Sequence, residues 1–187
     1  MNVLRVKPVL RPWWALALLG LTASILGFFF NPARGERYQF EMGLWRCESN
    51  AHELVSAAII YQSDNDDAFP PSATWLDVLR PLTKGNDVET CPKVLETGGR
   101  YGYAMNRRLP PRFAQLEAPP ETPLILETDL LVPNAVVTRA VPVERHHGQT
   151  LVFFCDGHHT SPNRANFKML HLDPRITNAK PIKNVPQ

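Results

Sequence analysis

No acidic residue occurs before Glu36, and residues 13 to 30, WWALALLGLTASILGFFF, carry no charge of either sign. Net charge is nearly absent as well, +2 over 187 residues. That balance excludes the strongly basic composition that marks a nucleic-acid binder. Cysteine is scarce. Cys47, Cys91 and Cys155 are the only three, too few and too scattered for a disulfide-dense scaffold. No internal repeat occurs. Proline, by contrast, is plentiful. The chain has 18, about twice ordinary usage, and most follow Pro70. Short strands and loops are therefore expected there rather than a helical bundle. The length suits one globular domain with a real core and an extension at one end.

The uncharged run is that extension. As a helix it would reach about 27 Å, close to the roughly 30 Å hydrocarbon core of a bilayer. Arg5, Lys7 and Arg11 precede it, so the positive-inside rule places the N-terminus in the cytoplasm and the remainder outside. Trp13 and Trp14 would sit at the cytoplasmic interface. Two other readings compete. A cleaved signal peptide has a shorter apolar core and a small-x-small cleavage site, whereas this run ends in three phenylalanines and NPARGER. A core helix of a soluble domain is rarely apolar on every face beside a basic leader. The expected layout is a cytoplasmic leader at 1–12 and a transmembrane helix at 13–30. That makes a single-pass protein of the inner (cytoplasmic) membrane with its domain outside the cytoplasm.

From about Glu36 to Gln62 the pattern is helical. Phe40, Leu44, Cys47, Leu54, Val55, Ala58, Ile59 and Gln62 recur near the 3.6-residue period, and Ala51, Ala57 and Ala58 would let a sheet lie close. SDNDDAFPP ends the helix with turn-forming carboxylates and paired prolines. SATWLDVLRPLT predicts a short helix capped by Ser72 or Thr74. The segments 100–106, 122–128, 134–144 and 149–155 predict strands. QTLVFFC is the strongest, with apolar residues on both faces, so it should be central and covered on both sides. The basic stretch from Ser161 reads as largely irregular and exposed.

His146 is followed by nine residues and then Asp156-Gly157. This H-x9-DG spacing, inside RHHGQTLVFFCDGHH, resembles the prepilin-type processing-associated domain of type II secretion pseudopilin-like proteins. RCESNAHELVSAAIIYQSDNDDAFP (46–70), TWLDVLRPL (74–82), CP (91–92), YGYAMN (101–106) and LILETD (124–129) resemble further family segments in the same order. The resemblance covers roughly residues 46 to 160. It implies a pilin-like α+β domain at 36–160, in which a long helix packs on a small antiparallel sheet, followed by a basic tail at 161–187. It also implies a bacterial envelope protein with no chemistry of its own, in assembly or secretion-related scaffolding. Its partners would be the membrane and other pilin-like or secretion-system subunits. The N-terminus departs from the family. A Gly-Phe-Thr-Leu-Ile-Glu-like processing segment is absent from residues 1 to 30, so an ordinary anchor is expected rather than a processed filament leader.

The resemblance marks Arg145, His146, Asp156 and Gly157. A strand between His146 and Asp156 would hold them over 30 Å apart at about 3.3 Å per residue, so each needs its own partner. Glu127 or Asp129 is expected to meet His146. Asp156-Gly157 reads as a hairpin turn in which glycine takes positive φ. A rival reading gathers His146, His147, His158, His159 and Cys155 into the zinc centre of a metal-dependent hydrolase. The Asp-x-His and Asn-His-Glu segments of such enzymes are absent, and His158 and His159 would point to opposite faces of a strand. Asp64, Asp66 and Asp67 have alternating carboxylates, as in calcium loops. The EF-hand pattern needs glycine and glutamate where Phe69 and Trp75 stand, so a solvated turn is the first reading and calcium the second. No other cofactor is expected. Cys47 and Cys91 would lie in an oxidising compartment, which favours a bridge between them over two buried thiols. Cys155, in the core strand, is expected to stay reduced.

Overall fold

The computed structural model describes residues 20–22, 27, 32–85, 87–143, 145–146, 148–167 and 170–175. The uncharged run at 13–30 lies almost wholly outside them, as do the basic leader, Glu144, His147 and residues 176–187. Among the described residues no helix is long and apolar enough to cross a membrane.

Helix α1 spans Pro32–Asp64. Cys47, Ala51, Leu54, Val55, Ala57 and Ala58 form its buried stripe, each at most 1 % exposed. The three- and four-residue spacing puts them on one face, and three alanines keep that face narrow. Ile59, expected in the stripe, is 41 % exposed. One residue beyond Ala58 it is rotated about 100° away from the core. The helix stops where Asp66 and Asp67 take positive φ, 51° and 61°, a conformation that short polar residues tolerate. The Asp67 N–H closes the end on the Gln62 carbonyl at 2.9 Å.

Helix α2, Trp75–Leu79, runs on into a 3-10 turn, Arg80–Leu82. Thr74 precedes it but makes no side-chain cap bond. The cap comes instead from Asn134, whose Oδ1 accepts the N–H groups of Leu76 at 2.7 Å and Asp77 at 3.3 Å. These are the second and third helical positions, the pair that an N-cap oxygen serves. Ser72 and Thr74 are thus corrected as caps. Trp75 is fully buried and donates its indole N–H to the Ala135 carbonyl. A third short helix, α3, is Pro92–Leu95.

The strands are β1 (Tyr103–Asn106), β2 (Pro123–Glu127), β3 (Val136–Val137), β4 (Val152–Phe154) and β5 (His159–Thr160), in the order β3-β1-β2-β4-β5. The fold is α+β. The sheet is mixed rather than antiparallel throughout, because β3 pairs in parallel with β1. The 29 residues separating β1 from β3 contain β2, so β3 returns along β1 by a crossover rather than a hairpin. The long strand expected at 134–144 is reduced to Val136–Val137.

Alternation along β4 divides the sheet's two faces. Leu151, Phe153 and Cys155 join the main core with α1 and α2. Val152 and Phe154 join Leu126, Phe167 and Leu172 on the other side. The basic tail is therefore not wholly exposed. Helix α4, Arg164–Phe167, brings Phe167 onto the sheet at 3 % exposure, and Leu172 follows at 4 %. Asn106 holds it there by donating to the Leu172 carbonyl at 2.9 Å. Without this cover the apolar outer face of β2 and β4 would stand in water.

Candidate functional site

Strand β2 is buried along its whole length, so the carboxylate that ends it needs internal partners. Glu127 is 1 % exposed. Its Oε2 accepts the Leu151 N–H at 2.9 Å, and its backbone N–H donates to the Leu151 carbonyl. Its other oxygen, Oε1, lies 2.9 Å from His146 Nε2. Both side chains are closed to solvent. His146 is brought there by a tight turn, in which Gln149 donates back to the His146 carbonyl at 3.1 Å and Gly148 takes φ +78°. Thr150, also buried, braces the turn by bonding both the N–H and the carbonyl of Val143.

The same imidazole touches a disulfide. Cys47 on α1 and Cys91, just before α3, are bonded, and Cys91 Sγ lies 3.5 Å from His146 Nε2. One ligand-type atom from each of Cys47, Cys91, Glu127 and His146 falls within 4.8 Å of the others, and all four residues are buried. Tyr103 roofs the group and donates its hydroxyl to the Cys47 carbonyl at 2.7 Å. Burial pushes the Tyr103 phenol well above its ordinary pKa, and the Glu127 charge adds to this while Arg145 opposes it. Gly102 lets β1 pass close to the disulfide. A Cβ there would stand 3.1 Å from both the Cβ and the N of Cys91.

Arg145 points away from His146. It donates to the carbonyls of Gly102 and Thr128 and to Asp129 Oδ1 at 2.8 Å. Asp129 is therefore the partner of Arg145, and Glu127 that of His146.

Asp156 and Gly157 form the β4–β5 turn. Phe154 and His158 are joined by a backbone bond of 2.9 Å, and Gly157 takes φ +92°. Asp156 Oδ1 accepts the His158 N–H and lies 2.5 Å from His158 Nδ1. The two histidines after the turn go to opposite faces. His158 stacks flat on Phe154, with centroids 4.3 Å apart and planes at 4°. His159 stacks on Phe153 at 5.0 Å, pairs with Glu48 at 3.0 Å and lies 6.0 Å from the His52 ring. His159 is thus part of β5 and of the α1 contact. Cys155 is a buried free thiol, raised in pKa by burial and then by Asp156.

The structure gives His146, His158 and His159 three different carboxylate partners. Among the described residues, Asp64, Asp66 and Asp67 do not converge as a ligand group. Their loop instead pairs through its backbone, with Phe113 donating to the Asp67 carbonyl and Arg112 to that of Asp66. Glu48 and His52 were not anticipated from the sequence. Their four-residue spacing on a predicted helix was the available signal. No protein family, curated protein or solved structure matches this chain.

Proposed function

We propose that the chain is a membrane-anchored, non-enzymatic envelope protein of the pseudopilin-like kind, with a structural part in assembly or secretion. The observation that carries this reading is the burial of His146 against Glu127, both side chains at 0 % exposure. A histidine closed to solvent and held by a carboxylate is out of reach of a substrate, whereas general acid–base work needs hydrogen-bond reach to a reacting group. The other residues of the H-x9-DG segment also have structural uses. Arg145 ties three acceptors, and Asp156 and Gly157 shape a turn. The Cys47–Cys91 bridge suits an oxidising compartment outside the cytoplasm. Trp45, Ile59 and Ile60 stand exposed on α1, apolar surface suited to a neighbouring subunit or the membrane interface.

The test is topological. Protease added to intact spheroplasts should digest the domain, and the residue 13–30 segment should stay with the membrane after alkaline extraction. A domain digested only after lysis overturns the orientation. Metal-dependent hydrolytic activity of the purified chain, lost on His158→Ala and His159→Ala, would favour the hydrolase reading instead.

A further inference from the structure

We propose that the Cys47–Cys91 disulfide occupies a concealed metal site, and that reduction converts the Cys47, Cys91, His146 and Glu127 cluster into a closed four-ligand centre for a zinc-class divalent cation. The ligand set is the first argument. Two thiolates, an imidazole nitrogen and a carboxylate oxygen are a donor set that zinc accepts in tetrahedral geometry. Placement is the second. The four come from α1, the loop before α3, the end of β2 and the turn before β4, and their ligand atoms already lie within 4.8 Å of one another. Neighbouring ligands of a tetrahedral zinc site stand about 3.3 to 3.8 Å apart, so the cluster is near that size once reduction lets the two bonded sulfurs separate. Burial is the third. Cys47, Cys91 and His146 are each 0 % exposed and Glu127 is 1 %, which leaves no open coordination position and marks a structural rather than a catalytic centre.

The chemistry balances with one external reagent. A dithiol attacks the disulfide, its two electrons reduce Cys47 and Cys91 to thiols, and it leaves as its own disulfide. The cation then displaces one proton from each thiol. His146 binds through Nε2, with its proton on Nδ1, and Glu127 exchanges the Oε1 contact to His146 for one to the metal. Glu127 Oε2 keeps the Leu151 N–H and so remains oriented. Bridge and cation are then alternative cross-links of one helix–sheet junction. In a reducing environment the cation takes over the tie that the disulfide provides in an oxidising one.

The experiment uses the full chain in detergent, reduced with a dithiol, freed of it under argon and titrated with Co2+. One equivalent should bind, with the intense visible bands of tetrahedral cobalt and sulfur-to-cobalt charge transfer. Zn2+ should displace it and protect both thiols from alkylation. The oxidised chain should bind none. Glu127→Gln, close to isosteric, and His146→Ala should each weaken Co2+ at least about tenfold, since a lost ligand costs no less than a lost ligand-orienting contact. Far-UV circular dichroism shows whether the variants and the reduced chain fold. Uptake below one equivalent, a spectrum without charge transfer, or affinity unchanged in Glu127→Gln overturns the proposal. So does a reduced chain that unfolds and does not refold on adding Zn2+.

Discussion

His146 Nε2 and Glu127 Oε1 lie 2.9 Å apart with neither side chain open to water. Each member gives the other a buried contact. His146→Ala leaves a buried carboxylate short of one partner, and Glu127→Ala takes the carboxylate contact from the imidazole and the acceptor from the Leu151 N–H. Breaking a buried pair from one side costs about 3 to 5 kcal/mol. The double replacement by apolar residues should cost less than the sum of the two singles, because it leaves no orphaned charge. Urea unfolding of the four chains measures the cycle. Strict additivity would show that the two side chains do not interact.

At Gly157 the expected effect is backbone strain, not crowding. A Cβ there would meet only Ile59 Cδ1, at an ordinary 3.7 Å, but φ is +92°. Gly157→Val should therefore cost about 1 to 3 kcal/mol. Asp156→Ala loses one turn acceptor for the His158 N–H and should cost about 0.5 to 1.5 kcal/mol. Thermal unfolding should rank Gly157→Val below Asp156→Ala. The reverse order would place the importance of the turn in its carboxylate.

The Asn134 cap makes a charge-specific prediction. Asn134→Ala should cost about 1 to 2 kcal/mol by freeing the N–H groups of Leu76 and Asp77. Asn134→Asp keeps a capping oxygen but turns the 2.7 Å bond from Asn134 Nδ2 to Asp77 Oδ2 into a like-charge contact. Its loss should shrink when Asp77→Asn is added. Equal losses for Asn134→Asp in both backgrounds would remove the electrostatic account.

Stability should fall at alkaline pH through two buried acids. Tyr103 and Cys155 both have folded pKa values raised above their ordinary ones. Their contributions are therefore complete below the unfolded pKa, about 10 for tyrosine and about 8.5 for cysteine. They are lost as pH rises from there toward the folded value, because the unfolded chain sheds the proton first. Each group can steepen the fall by up to about 1.4 kcal/mol per pH unit. Tyr103→Phe and Cys155→Ala should flatten the decline measured between pH 8.5 and about 11, each at some cost at neutral pH. An unchanged slope in both variants would exclude these two groups as its origin.

Reduction of Cys47–Cys91 in a metal-free buffer should destabilise the domain. The bridged residues are 44 apart, and the entropy lost by the unfolded state on closing a loop of that length raises its free energy by about 4 kcal/mol at 25 °C. Non-reducing peptide mapping should recover the two as one linked pair, with Cys155 alkylated only after unfolding. A midpoint unaltered by reduction would mean that the bridge adds no constraint the core lacks.

What the sequence determined by itself lies in short-range pattern. Apolar period, alanine spacing, the Asp-Gly pair and paired prolines foretold α1, the strand through Phe153 and the β4–β5 turn. These depend on neighbours within a turn of helix or one hairpin, where covalent geometry limits the choices. The acidic residues ending LILETD offered Glu127 or Asp129 as the partner of His146, and the packing chose Glu127. Tertiary structure alone decided the rest. Asn134 caps a helix 58 residues away, β3 runs parallel to β1, and the basic tail covers the sheet through Phe167 and Leu172. The junction of disulfide, His146 and Glu127 joins four separated segments. Such contacts arise because every apolar face must be covered and every buried polar group satisfied. Which distant segment does so depends on how the whole chain packs, and no local pattern carries that information.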